Sequence, residues 1–284
     1  MTVPELWGLA AIVAKFALYL GLLTSAGTVM ATQLFRLDRC TGFCVAFAGL
    51  GLGAALLTFL LQAVVLTGDA SGMTEPDILQ LLWSTASGTA LSYRIVGLTL
   101  LILGLFIGRI GLWLSILGGL VAILSFGQVG HIASRETSLL QAALILHLTT
   151  IAIWIGILTP LRRLTFAHDT WSRAADVGHR FGQFASVMVP ILIFAGGVMS
   201  VALVGSFTAF VGTGYGLALI LKLGAVAGLL LLAAANKLRF VPGLRTLDPR
   251  AAALLRRSIF VEWLAICSIF AVTACMTTSL TLPT

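Results

Sequence analysis

Two histidines bracket the entrance to one long apolar stretch, and they are the residues best suited to bind a metal. The stretch runs from Gly130 to Leu161; His131 opens it, and His147 follows sixteen residues later inside the apolar run. A histidine in hydrocarbon is costly and usually faces a partner or a cavity. Neutral imidazole binds transition metals and haem iron. The pair therefore predicts a metal or haem site, while a wet loop histidine and a hydrogen-bonded packing histidine would give the same spacing.

Sulfur side chains could complete such a ligand shell, because thioether and thiolate groups select Cu(I). Methionine also fills gaps in apolar cores, so the same residues fit a packing role. Cys40 and Cys44, four residues apart, could share a helix face and hand Cu(I) to the other side of the membrane, where Met30 is also predicted. Three further candidates are predicted at the same end as His131: Met199, Cys275 and Met276.

Charged residues inside apolar runs form a second group of candidates. Each costs at least about 2.5 kcal/mol at a helix centre unless it is paired or hydrated. Lys222 is predicted to make a deep polar contact, while Glu262 is predicted to meet Arg180 or the Arg256/Arg257 pair. Lys15 fits a structural or snorkelling role.

Arg94 follows a segment of small residues and is predicted at the mouth of the bundle. It could bind Asp69 or Asp77, an anionic substrate or a haem propionate, or it could be a solvated interface anchor. Together with Trp154, Lys222 and Glu262, it is predicted to give the metal site polar support.

The composition identifies a polytopic membrane protein. Of 284 residues, 59% are hydrophobic and 10% charged, against about a quarter charged in soluble domains. The apolar runs are continuous, which favours helices over a barrel. The net charge of +7 comes from basic residues between the runs, so it indicates topology and predicts no nucleic-acid partner. No catalytic triad, nucleotide loop or HExxH motif is present, and we expect no enzyme.

The apolar runs predict an all-α bundle of about eight transmembrane helices within a single integral membrane domain, residues 1–284. Lys and Arg concentrate in the turns after the first, third, fifth and seventh helices. Such turns are usually cytoplasmic, which places both termini in the periplasm. The predicted helices cover about 6–32, 43–66, 90–108, 111–128, 138–160, 183–207, 214–236 and 258–279.

A set of short motifs runs in order from the third predicted helix to the C-terminus. They are Trp83-Ser84-Thr85 with Gly88 and Arg94, Gly130-His131, His147 with Trp154-Ile155-Gly156, Arg180-Phe181, Tyr215-Gly216 with Lys222, Asn236 with Pro242, Arg257 with Glu262, and Leu282-Pro283. In this order they resemble the CopD-type copper resistance family. The chain departs from that pattern at Gly156-Ile157, where the family often has Gly-Gly, and at Gly182, where it often has serine. It has six methionines, which favours histidine over a methionine ladder.

The resemblance implies a bacterial inner-membrane protein that moves copper from the periplasm toward the cytoplasm, often beside a periplasmic CopC-type copper carrier. His131 and His147 match the candidate copper ligands, and we expect their site between the outer ends of the fourth and fifth predicted helices. A b-type haem electron-transfer protein, with two axial histidines, is the alternative of another class. An assembly partner without a site of its own is a third.

Overall fold

The computed structural model describes residues 3–130 and 138–281, and in these ranges the chain is a bundle of helices without strands. Eight of the described helices are long and apolar enough to cross a membrane, which confirms the predicted fold class. These eight are α1 (Val3–Phe35), α2 (Thr41–Thr67), α4 (Ala86–Leu105), α5 (Gly108–Leu124), α6 (Ser138–Leu164), α7 (Trp171–Val204), α9 (Gly214–Ala235) and α11 (Pro249–Thr278). Short helices α3 (Pro76–Trp83), α8 (Phe207–Gly212) and α10 (Val241–Arg245) lie between them.

Two helices begin well before the apolar runs that predicted them. Helix α7 begins at Trp171 and α11 at Pro249, inside segments that the sequence suggested were basic loops. The buried Trp171 indole donates a hydrogen bond to the carbonyl of Thr165 at 3.1 Å, which anchors the start of α7. Asp248 caps α11 by accepting from the Arg250 backbone N–H at 2.8 Å, and Pro249 fits the first turn. Both extensions continue the helix past the apolar span, with buried apolar residues on one side and exposed basic residues on the other.

The turns rich in Lys and Arg meet at one end of the bundle, which we call the basic end. Arg173 of α7 forms two hydrogen bonds with Asp38 in the α1–α2 turn, at 2.8 and 3.1 Å. Arg39 from the same turn donates to the carbonyl of Gly108 at the start of α5. The opposite end carries Asp69 and its neighbouring carboxylates, and we call it the acidic end.

Helix α1 lies at the centre of the bundle and packs against α2, α5, α6 and α11. Its closest backbone approach is to α6. A Cβ atom added at Gly27 would lie 1.7 Å from the carbonyl oxygen of Ala152, and one added at Gly156 would lie 2.0 Å from the backbone of Gly27. Small residues let membrane helices approach this closely. The α1–α6 pair is therefore in direct backbone contact.

Helix α9 lies at the edge of the bundle. Its buried residues are Tyr215, Gly216 and Leu219, all near the acidic end, and the rest of the helix is half-buried or exposed. Its principal packing partner among the long helices is α11. The flank made by α6, α7, α9 and α11 is consequently less tightly filled than the α1 side, and the candidate site lies there.

Candidate functional site

His147 sits on the face of α6 that packs against α7. It is the tenth residue of α6, and a Cβ atom added at Gly196 of α7 would lie 3.4 Å from its Cε1 atom. Its Nδ1 atom is buried and makes no regular hydrogen bond to any described residue, although the backbone of Leu192 lies close to the ring. An Nδ1–H that faces a backbone carbonyl leaves Nε2 as the metal-binding nitrogen. The ring is thus placed as a candidate ligand in the α6–α7 seam.

The surroundings of His147 differ from those the sequence suggested. We expected a site toward the fourth predicted helix, which is α5, but the imidazole lies against α7. The residues of α6 around His147 are mostly apolar apart from Thr149 and Thr150, so the sequence does not reveal which face packs inward. His131, the predicted second ligand, lies outside the described residues. Lys222 of α9 is half-buried and close enough to act electrostatically on the His147 ring.

Met199 is the sulfur candidate on the same seam as His147. It is buried and packs with Leu140 and Leu144 of α6, about one helical turn from His147 toward the acidic end. Met276 packs instead in a separate cluster with residues of α7 and α9, and the neighbouring Cys275 is a half-buried free thiol. The structure therefore brings one of the three predicted sulfur residues into the α6–α7 seam.

A preformed cluster of conventional metal ligands does not surround His147. In residues 3–130 and 138–281, no three His, Cys, Asp or Glu side chains come together as a metal-binding group. A copper ion at this position would therefore bind few protein donors. Imidazole and thioether groups are the donors on the seam, and both suit copper.

Arg94 is a buried residue and not the exposed mouth residue that we predicted. It lies two turns inside α4, where its Nε donates to the Ser125 hydroxyl at 3.1 Å and its guanidinium lies 5.6 Å from the centre of the Phe126 ring. Asp69, one predicted partner, instead accepts a hydrogen bond from the Ser71 backbone N–H at 2.7 Å. That hydrogen bond holds the pKa of the Asp69 carboxyl below its usual range. Arg94 thus supports the turn that leads toward Gly130.

Glu262 of α11 lies among neutral hydrogen-bond donors. The residue is 1% exposed; the Trp154 indole N–H donates to Oε2 at 3.2 Å, and the Asn236 amide donates to Oε1. We predicted an arginine partner, but Arg257 is five residues away and points about 140° around the helix. Arg256 lies with its guanidinium 4.5 Å from the Phe166 ring centre. The structure therefore places a buried carboxyl group between α6, α9 and α11.

A cavity of about 360 Å³ adjoins Glu262 between α6, α7, α9 and α11. Its lining is mostly apolar, with the polar groups of Glu262, Asn236, Lys237 and Ser186 along its walls. The Lys237 ammonium donates to the Ser186 hydroxyl. The Asn236 Oδ1 atom is buried and has no hydrogen-bond partner among the described residues. Polar groups beside a cavity of this size provide donors and acceptors for water, a proton or a passing cation.

The backbone that carries Asn236 and Lys237 is a single wide turn. The Val241 N–H donates to the carbonyl of Asn236 five residues back, which is the π-helical pattern. Pro242 follows directly and has no N–H to continue the α-helical ladder. Wide turns of this kind often occur at functional sites. Across the cavity, Gly178 and Gly182 of α7 leave room for Val241 and the stem of Lys237.

Three of these residues were not among the predicted site residues: Ser186, Asn236 and Lys237. Asn236 and Pro242 did carry part of the resemblance to the family. The signal in the sequence that indicates Asn236 is a polar amide at the end of an apolar run, shortly before a proline. Gly178 and Gly182 form a small-xxx-small pattern that also indicates close packing.

Comparison with known protein families gave two matches. The family model described as Copper resistance protein D matches residues 175–276, and the model described as Copper resistance protein D-like, N-terminal domain, matches residues 4–142. The first range contains Lys222, Asn236 and Glu262, and the second contains Arg94. No curated protein and no solved structure matches the chain.

Proposed function

Because this multi-pass membrane protein belongs to the copper resistance protein D family, we propose that it carries copper across the bacterial inner membrane through a site at His147. The observation that carries this proposal is the His147 imidazole itself, which is buried inside a membrane helix, with Nδ1 near the Leu192 backbone and without a regular hydrogen bond to any described residue. Such a residue is a functional candidate because a histidine within the membrane is costly. Met199 and His131 are the proposed additional ligands, and Cys275 and Met276 remain proposals at the acidic end.

The polar residues between His147 and the basic end form the proposed route for copper. His147 and Trp154 are seven residues apart on α6, so they lie about 10 Å apart along one face of the helix. Trp154 is already part of the cavity wall. We propose that copper passes from the imidazole toward this cavity, with Lys222, Trp154 and Glu262 as polar support. Arg94 supports the acidic end of the bundle.

The proposed direction, from periplasm to cytoplasm, depends on the orientation of the bundle. Basic turns are usually cytoplasmic, so the basic end faces the cytoplasm and the acidic end the periplasm. Asp169→Cys at the basic end and Ser71→Cys at the acidic end both introduce exposed thiols. In spheroplasts with the native cysteines replaced, an impermeant maleimide should label S71C at once and D169C only after lysis. Immediate labelling of D169C alone would reverse the proposed direction.

The test of the site compares His147→Ala with His179→Ala, an exposed histidine at the basic end. Loss of a ligand should weaken copper binding by about tenfold or more, and H179A should bind like wild type. Imidazole binds metal only when neutral, so wild-type affinity should fall at acid pH, where the ring becomes protonated. The H147A variant should lose this pH dependence. Wild-type affinity and an unchanged pH profile in purified H147A would refute the assignment.

We also propose that a separate CopC-type carrier delivers copper to the acidic end. The exposed carboxylates of Asp69, Glu75 and Asp77 lie there. Mixing a copper-loaded carrier with the protein in proteoliposomes should move copper to wild type faster than to H147A. Equal transfer to both would contradict delivery to this site.

A further inference from the structure

We infer that Cys40 and Cys44 form a second copper site, specific for Cu(I), at the basic end of the bundle. The two cysteines lie where the α1–α2 turn enters α2, far from the seam that holds His147. The inference rests on the proposed function for the source of the copper, but binding at this pair does not depend on His147.

The backbone brings the two cysteines together at the first turn of α2. Cys40 occupies the N-cap of α2, and the Cys44 N–H donates to its carbonyl at 2.9 Å, which closes a regular first turn. Side chains four residues apart have Cβ atoms roughly 5–6 Å apart. The sulfurs of a two-coordinate ion are separated by about twice a metal–thiolate bond of ~2.3 Å. Cysteine side chains at this spacing can therefore hold one ion between them.

Positive groups beside Cys40 can balance the negative charge of a copper–thiolate complex. Arg163 of α6 donates from Nη1 to the Cys40 sulfur at 3.4 Å, and the positive end of the α2 dipole lies at the same place. Arg173 donates two hydrogen bonds to the nearby Asp38 carboxylate. Asp38 therefore does not compete with the Cys40 sulfur for Arg163. Binding of Cu⁺ by two thiols releases two protons and leaves one net negative charge. The Arg163 guanidinium balances that charge.

The donor set selects the metal. Both thiols are free and buried, at 9% and 2% exposure. Zinc requires about four ligands, and within the described ranges no third His, Cys, Asp or Glu joins this pair. Soft thiolates prefer Cu(I). Gly21 of α1 lies against Gly51 of α2, and this antiparallel register puts the buried Met30 at the level of the pair as an available thioether.

At this position the two cysteines would bind copper that has crossed the bundle, before it is released from the protein. Cu(I) would be bound there without any change in oxidation state. The His147 site, with imidazole and thioether donors, differs in chemistry from this dithiolate, so the two sites have separate spectroscopic signatures.

The experiment titrates Cu(I) under anaerobic conditions into the full-length protein in detergent, against a chromogenic Cu(I) chelator. Wild type should show thiolate-to-copper absorption in the ultraviolet and sulfur neighbours by X-ray absorption. Cys40→Ser and Cys44→Ser should each lose this absorption and bind about tenfold or more weakly. Cys267→Ser is the matched control and should retain it. Arg163→Gln should weaken binding while keeping the sulfur signature.

A second measurement needs no variant. Added Cu(I) should slow maleimide modification of Cys40 and Cys44 in the native protein, located by mass spectrometry, and leave Cys267 unaffected. The inference is overturned if C40S/C44S keeps the wild-type absorption and affinity, or if Cu(I) protects neither thiol. Failure of the dithiolate site can be distinguished from failure of the proposed function. The H147A variant should retain the thiolate signal, because the cysteine pair does not depend on His147. Wild-type copper transport by H147A would refute only the His147 site.

Discussion

Replacing Glu262 by glutamine and by alanine separates the charge of this side chain from its packing. Alanine removes the acceptor of two interhelical hydrogen bonds, from Trp154 and Asn236. Interhelical hydrogen bonds in membranes contribute about 0.6 kcal/mol each on average and about 1.7 at most. E262A should therefore lower the free energy of unfolding by about 1–3 kcal/mol, and the void left by the side chain adds to that loss.

Glutamine should be tolerated because Asn236 has an unused acceptor. The Gln oxygen can accept from Trp154, and its amide can donate to the Asn236 Oδ1 atom after that side chain turns over, since Oδ1 has no partner among the described residues. Both hydrogen bonds are then kept, and we expect E262Q to lose less than about 1 kcal/mol. Copper transport should nevertheless fall in both variants if the carboxyl group takes part in it.

Thermal unfolding in detergent measures the stability losses, and copper uptake into proteoliposomes measures the role of the carboxyl group in transport. Both assays use the same preparations. Trp154→Phe, which removes one of the two donors, is the matched control, and its stability loss of about 1 kcal/mol should fall between the losses of E262Q and E262A. Equal destabilisation by E262Q and E262A would refute the proposed exchange of hydrogen bonds. Wild-type uptake by a stable E262Q would show that transport does not use the carboxyl group.

The remaining predictions concern packing and the buried arginine. Gly156→Ala should abolish accumulation of folded protein in the membrane, because its Cβ would overlap the backbone of α1; Gly224→Ala, with open space around it, should fold normally. Size-exclusion chromatography of membrane extracts checks both. Ser125→Ala should lower stability by about 1.5–3 kcal/mol, because Arg94 loses a charge-assisted hydrogen bond; Ser268→Ala, whose hydroxyl bonds within its own helix, should have little effect on the melting temperature.

The membrane helices were predictable because hydrocarbon imposes one solution on long apolar segments. Hydropathy marks the part of a helix that crosses the membrane but not where the helix ends. The first turns of α7 illustrate this limit: Arg173 looks like a loop residue in the sequence, yet it lies in helix and pairs with Asp38 from a distant turn. Such contacts depend on which turns meet at the basic end, and spacing within one segment does not contain that information.

The identity of the buried polar residues was predictable, but their partners were not. Trp154 and Glu262 were both recognised as polar support, yet 108 residues separate them and their hydrogen bond arises from the packing of α6 against α11. The direction in which His147 faces has the same origin. An apolar helix surface offers no polar side to identify the outer face, so only the fold decides that the imidazole lies against Gly196.

The contact between Gly27 and Gly156 also limits how the molecule can change shape. Two helices whose backbones touch cannot slide or tilt past one another without a clash, so α1 and α6 should move as one rigid body. Transport requires the copper path to open first to one side and then to the other. We therefore expect a rocking motion in which α7 and α9 swing against a static α1–α6 pair. Pro190 within α7 and the wide turn at Asn236 are the natural hinges.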